Sequence, residues 1–184
     1  MTVGRLILVV GPSGAGKDSV IGYARQHMAQ QNVVFGRRIV TRPADATETP
    51  DTMDLAQFEQ DERAGLFLTS WRAHDLAYAL PLSLAEDVAG GKQVVVNVSR
   101  RVIPELRERF PCFVVVVDAD EQLRRDRIAS RGREAPAALE ARLRRRIPTD
   151  FHADAIIRNE GSLAEAGEAL MYLIGHLIGA PDHD

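Results

Sequence analysis

Short apolar, β-branched runs alternate along the chain with segments whose apolar residues recur at helical spacing. Arg5 to Val10 is such a run, ended by Gly11; Val34 to Thr41, Val94 to Val98, Phe113 to Val117 and Ala155 to Arg158 read as the other strands. Most are short and almost wholly apolar, as strands covered on both faces are. Helical patterns lie between them. Ser19 to Gln30 follows a glycine-rich stretch, Ser83 to Ala89 stops at Gly90-Gly91, and Glu121 to Ala129 follows a cap at Asp120. Val102, Ile103, Leu106 and Phe110 share a face, as do Leu163, Ala166, Leu170, Leu173, Ile174 and Leu177. This order predicts an α/β domain built on a five-stranded, mostly parallel sheet with right-handed crossovers and helices on both sides.

Length and composition narrow the class. The 184 residues favour one domain, and 45% hydrophobic with 27% charged residues is ordinary for a globular chain. Leu6 to Val10 is too short for a signal-peptide core or a membrane span, so no membrane association is expected. Cys112, the sole cysteine, stands before the apolar run Phe113 to Val117, which points to a buried, reduced thiol and a cytoplasmic setting. The five histidines lack metal-ligand spacing.

A net charge of -3 excludes general nucleic-acid affinity, yet the charges are segregated. Asp45 to Glu62 holds seven acids and no base, whereas Arg124 to Arg146 holds nine arginines against Asp126, Glu134 and Glu140. Lys17 and Lys92 are the only lysines among 23 basic residues. A chain so rich in arginine that keeps lysine beside Gly16 suggests a site wanting a compact ammonium.

That lysine closes Gly11-Pro12-Ser13-Gly14-Ala15-Gly16-Lys17, a G-x-x-x-x-G-K phosphate loop set between a predicted strand and a predicted helix. Composition alone gives roughly 0.01 chance occurrences of this pattern. Its glycines let backbone N–H groups converge on phosphate oxygens, the helix dipole adds positive potential, and Lys17 reaches the outer phosphates of ATP. The next position departs from the motif, with Asp18 before Ser19 where Ser or Thr is usual. Asp18 either merely complements the helix dipole or, as favoured here, faces Mg2+ held against the polyphosphate.

Gly11 to Val20, Thr41-Arg42-Pro43, Leu66 to Tyr78, Ser130 to Arg133 and Ile157 to Glu160 together resemble the guanylate-kinase-like branch of nucleoside monophosphate kinases, over nearly the whole chain. Within it GKDS, VTR, VNVSR and RGRE resemble the ribose 1,5-bisphosphate phosphokinases of phosphonate breakdown. The resemblance implies a P-loop three-layer αβα sandwich with an acceptor-binding insertion at about 37–82 and a lid at about 127–146. It also implies ATP and Mg2+ as cofactors, a sugar bisphosphate as substrate and 5-phosphoribosyl 1-diphosphate as product.

Where the guanylate kinase pattern has a second acceptor arginine, a base-reading Glu and a D-[IL]-D strand end, this chain has Asp45, Thr69 and Asn97-Val98-Ser99. Guanine needs a hydrogen-bond acceptor for its ring N–H and amino group, and the replacements remove it. A GMP kinase and a noncatalytic guanylate-kinase-like binding module stay open as alternatives.

A phosphomonoester acceptor is already largely dianionic at pH 7, so the chemistry asks for cations rather than a base. Arg38 and Arg42, with Arg37 third, are the candidates for the acceptor phosphates. Arg131 and Arg133 fall where the resemblance places a lid over ATP. Arg142, with Arg146 one turn on, could point inward, Arg127 could face phosphate, and Arg124 and Arg125 read as a solvated face. Tyr78, like Trp71, lines the acceptor pocket or belongs to the core. Asn159 matches an adenine-contacting position or serves a turn.

Overall fold

A computed structural model describes residues 3–28, 32–41, 52–73, 75–130 and 151–179. Its centre is a five-stranded, wholly parallel sheet of β1 (Arg5–Val10), β2 (Val33–Phe35), β7 (Gln93–Asn97), β8 (Cys112–Asp118) and β9 (Ala155–Arg158), in the order β2-β7-β1-β8-β9. Alternation along β1 divides the core in two. Leu6, Leu8 and Val10 join Val94, Val96 and Val114 on one face, with Leu84 of α3 (Ser83–Ala89) and Ile103 and Leu106 of α4 (Ile103–Arg109). Ile7 and Val9 join Val95, Val115 and Val117 on the other, with Val20, Ile21 and Ala24 of α1 (Lys17–His27) and Leu170 and Ile174 of α6 (Leu163–Gly179). Leu6 to Val10 are fully buried, and each such side chain contributes about 1.5–3 kcal/mol through loss of apolar surface from water.

The run read as one strand from Val34 to Thr41 is two. Phe35 ends β2 in the central sheet, and Ile39–Thr41 forms β3 in a second sheet with β4 (Thr52–Met53), β5 (Phe67–Ala73) and β6 (Leu76–Pro81), in the order β4-β3-β6-β5. The break follows from packing at Gly36, where an added Cβ would lie 2.7 Å from Val96 Cγ1 and 2.9 Å from Leu84 Cδ1. The chain therefore leaves the central sheet at Gly36 and carries Arg38 toward the end of β1.

The β5–β6 hairpin and α2 (Leu55–Arg63) are not foreseen from the sequence pattern; α2 buries Phe58 against Ala77 and Ala79 in a small separate core. α2 holds part of the acidic stretch in regular structure. Glu62 accepts from Arg72 and Ser70, and these bonds lower its carboxyl from 4.5 to about 2. A depressed carboxylate contributes stability above its unfolded pKa and loses it as pH falls through the folded value. Acid melting curves of Glu62→Gln are therefore expected to lose the pH dependence of the parent between about 4.5 and 2. Parallel curves would remove Glu62 from acid sensitivity.

Candidate active site

β1 runs apolar to Val10 and then turns, because Gly11 to Gly16 offers no side chain long enough to continue the core. Gly14 and Gly16 take φ of +80° and +89°, which bends the backbone around a hollow and delivers Lys17 as the first residue of α1. Gly16 caps α1 without any side-chain hydrogen bond, so the first N–H groups of the helix are left for an anion. Lys17 Nζ lies across the loop, 2.9 Å from the Gly11 carbonyl and 3.0 Å from that of Pro12. The Ala15 N–H closes a turn onto the same Pro12 carbonyl, and Ser13 sits between them at the tip.

Two residues brace the loop from behind. Asn159, buried just past β9, donates from Nδ2 to the Ala15 carbonyl at 2.8 Å, and Arg127 of α5 (Glu121–Ser130) donates to the Asn159 carbonyl at 2.9 Å. Asn159 thus holds the loop in shape, whatever else its amide touches. Gly16, Ser19, Arg127, Ser130, Asn159 and Leu163 line a hollow of about 300 Å³ beside the loop. That is the lower end of the size range for small-molecule sites. Arg124 is not merely a solvated face residue: its Nε donates to the Ala119 carbonyl at 3.1 Å, and its backbone packs against Gly14. Arg125 pairs with Glu121 one turn earlier on α5 at 2.8 Å.

On the opposite flank the structure brings Asp18 and Arg38 together. Asp18 accepts from Asn97 Nδ2 at 2.7 Å and from Arg38 at 3.3 and 3.4 Å. The Arg38 guanidinium lies 5.4 Å from the Tyr78 ring centroid, and Tyr78 stacks on Trp71 with centroids 5.6 Å apart. A cation on an aromatic face, braced by a second ring, is held in one orientation. Trp71 is buried, as its core reading requires, while Tyr78 is half-buried; Arg37 is exposed. Thr69 is buried and its hydroxyl donates to Glu105 Oε2 at 3.0 Å, a carboxylate also bound by Arg109. The Thr69 hydroxyl proton is thus directed at Glu105.

Asn97 is the partner of Asp18 that sequence reasoning missed. It is buried, and its Oδ1 has no hydrogen-bond partner among the described residues. A carboxylate joined to an amide with an orphaned oxygen suits a hard cation such as Mg2+, which takes oxygen ligands and binds through one or two carboxylates plus substrate phosphates. No cluster of three or more His, Cys, Asp or Glu stands ready for a metal among the described residues. Arg42, Arg131, Arg133, Arg142 and Arg146 lie outside the described residues. Cys112 is half-buried rather than fully covered, and burial pushes its thiol up to about 11. No helix among the described residues is long and apolar enough to cross a membrane.

A parallel sheet whose first strand ends in this loop, with a second sheet beside it, defines a P-loop protein of the guanylate kinase fold. Guanylate kinase from Anaplasma phagocytophilum superposes with a TM-score of 0.68 over 98% of this chain and 89% of its own, at 16% identity. A gluconokinase from Sinorhizobium meliloti gives 0.51 at 20% identity, covering 97% of this chain and 95% of its own. A scan against protein-family models finds no match. Individual proteins do match. Ribose 1,5-bisphosphate phosphokinase of Acidiphilium cryptum is 44% identical over 93% of this chain and 92% of its own length. The protein of the same name from Methylobacterium radiotolerans is 46% identical over 95% and 97%. The chain belongs to the ribose 1,5-bisphosphate phosphokinase family.

Proposed function

We propose that the chain transfers the γ-phosphoryl group of ATP to the 1-phosphate of ribose 1,5-bisphosphate, giving 5-phosphoribosyl 1-diphosphate and ADP. The observation that carries this reading is the meeting of two sides in one carboxylate: Asp18 beside Lys17 in the phosphate loop, and Arg38, just before β3 leads into the second sheet, 3.3 Å away. A nucleotide-side cation and an acceptor-side cation stand on either side of the same small space. Family membership supplies the acceptor.

The acceptor phosphate needs no deprotonation, so the residues act by positioning and charge. Lys17 and the loop N–H groups take the outer phosphates of ATP, with Gly11, Pro12, Ser13, Gly14, Ala15 and Gly16 forming the cradle and Ser19 at the base-side hollow. Arg38, set by Tyr78, takes an acceptor phosphate together with Arg42. Arg131, Arg133 and Arg142 complete the cationic set and exclude water from the γ-phosphate. Asp18 and Asn97 would hold Mg2+, which supplies charge neutralisation between the phosphates when bound.

Parallel assays with ATP and Mg2+ on ribose 1,5-bisphosphate, GMP, dTMP and gluconate test the acceptor, with turnover expected on the sugar bisphosphate. Turnover of GMP alone would end this reading. Asp18→Asn is expected to raise the Mg2+ concentration for half-activity roughly tenfold, equivalent to about 1.4 kcal/mol. Isothermal titration of Mg2+ into the nucleotide complex gives the same shift without turnover. An unchanged titration sinks the metal role.

A further inference from the structure

Arg100 is half-buried, and no hydrogen bond or ion pair holds it among the described residues. It opens the 3-10 turn Arg100–Val102, three residues beyond the end of β7. Its Nε is buried without a partner among the described residues, and its guanidinium carbon lies 5.7 Å from the centroid of the Phe151 ring. A buried Nε–H with no acceptor is an unfavourable arrangement for a merely structural residue. Asp118 is near enough to attract it electrostatically, but that carboxylate is paired with Arg158 at 3.1 Å. Burial lowers Arg100 to about 10; Asp118 opposes the fall and Arg124 reinforces it. The group stays cationic at neutral pH.

Its place gives the missing acceptor. β7 and β8 flank β1, so the Arg100 backbone stands on the β7 side of the loop, next to the strand that carries Asn97. The charges that act on its side chain, Asp118 and Arg124, stand on the β8 side, where Arg124 packs against Gly14. Arg100 therefore stands at the carboxyl edge of the sheet, two residues beyond Val98, whose N–H donates to the Val9 carbonyl at 3.2 Å where β1 opens into the phosphate loop. An anion seated there would satisfy the open donor at once.

We propose that Arg100 is a catalytic residue whose guanidinium donates to oxygens of the phosphoryl group in transit between ATP and the acceptor. This rests on the phosphotransferase reading above. During transfer the bond from the γ-phosphorus to its bridging oxygen breaks and one to an acceptor phosphate oxygen forms. Arg100 keeps its protons and stabilises the charge on the moving group. Its planar fork binds two oxygens together, which an ammonium does not.

The test is Arg100→Met, with Arg100→Lys beside it. For Arg100→Met kcat is expected to fall about 10²- to 10³-fold while the ATP dissociation constant stays within about threefold, because the contact strengthens only as charge moves. Its Tm should equal or exceed that of the parent, since a half-buried, unpaired charge has been removed. Arg100→Lys should keep most of the defect. Acceptor-free ATP hydrolysis reads the same arginine without any sugar, so a parent inactive on ribose 1,5-bisphosphate overturns the acceptor while leaving this assignment to be judged on hydrolysis. A kcat within threefold of the parent in either variant overturns the proposal, and so does a Tm lowered by several degrees together with lost ATP binding.

Discussion

Lys17→Met is expected to lower turnover about 10³-fold, near 4 kcal/mol of transition-state stabilisation, while the protein stays folded. The ammonium's hydrogen bonds to the Gly11 and Pro12 carbonyls keep it inside the ring of loop amides, ready to move to phosphate oxygens. Hydrogen bonds of this kind contribute about 1 kcal/mol each in net terms, so the change in Tm should be a few degrees. Lys17→Arg makes the sharper comparison. A guanidinium is too broad and flat to sit between two carbonyls of a seven-residue loop, so arginine should rescue little despite keeping the charge. Steady-state kinetics with circular dichroism melts would show the separation. Turnover within tenfold of the parent for Lys17→Met would mean that the nucleotide binds elsewhere.

Gly11→Ala is expected to have the largest effect on stability, in the range of 3 kcal/mol or more, which corresponds to a Tm lower by about 6–12 °C for a chain of this size. An added Cβ would lie 2.0 Å from the carbonyl oxygen of Val117 and 3.1 Å from its carbon. Both atoms are backbone in β8, so relief requires β1 and β8 to separate where they enclose the core. Gly16→Ala differs. There the contact is Asn159 Nδ2 at 2.4 Å, a side chain that can swing aside at the cost of its hold on the Ala15 carbonyl. The expected outcome is a smaller melting shift than for Gly11→Ala but a comparable loss of ATP affinity, measured by calorimetry. Equal melting temperatures for the parent and Gly11→Ala would contradict the packing described for this turn.

The central sheet was readable because its strands announce themselves. Leu6 to Val10, Val94 to Val96 and Phe113 to Val117 are apolar on both faces, a pattern that only burial between two helical layers explains. The second sheet was not, since the inward positions of β6 begin with Ala77 and Ala79, and alanine carries little strand signal. The Val34 to Thr41 run misled for a related reason: β-branched residues on both sides of Gly36 hide a change of sheet. In the site, the loop from Gly11 to Lys17 was legible from local spacing alone. The contacts that complete it were not. Asn159 reaches Ala15 over 144 residues and Asn97 reaches Asp18 over 79, and such distant partners leave no local trace in the sequence. Arg100 lay within a stretch already noted for its resemblance, but an unsatisfied guanidinium is a property of surroundings and has no signature in the residues themselves.

Placing β1 between β7 and β8 has a price during synthesis. The apolar segment Leu6 to Val10 leaves the ribosome well before its partners at Gln93 and Cys112, which follow about a hundred residues later. At translation rates of roughly 5–20 residues per second, Leu6 to Val10 waits some 5–20 s with both edges open. Nascent-chain pulse proteolysis should find this strand cleavable until β8 has emerged, and holdase chaperones should favour intermediates stalled before that point.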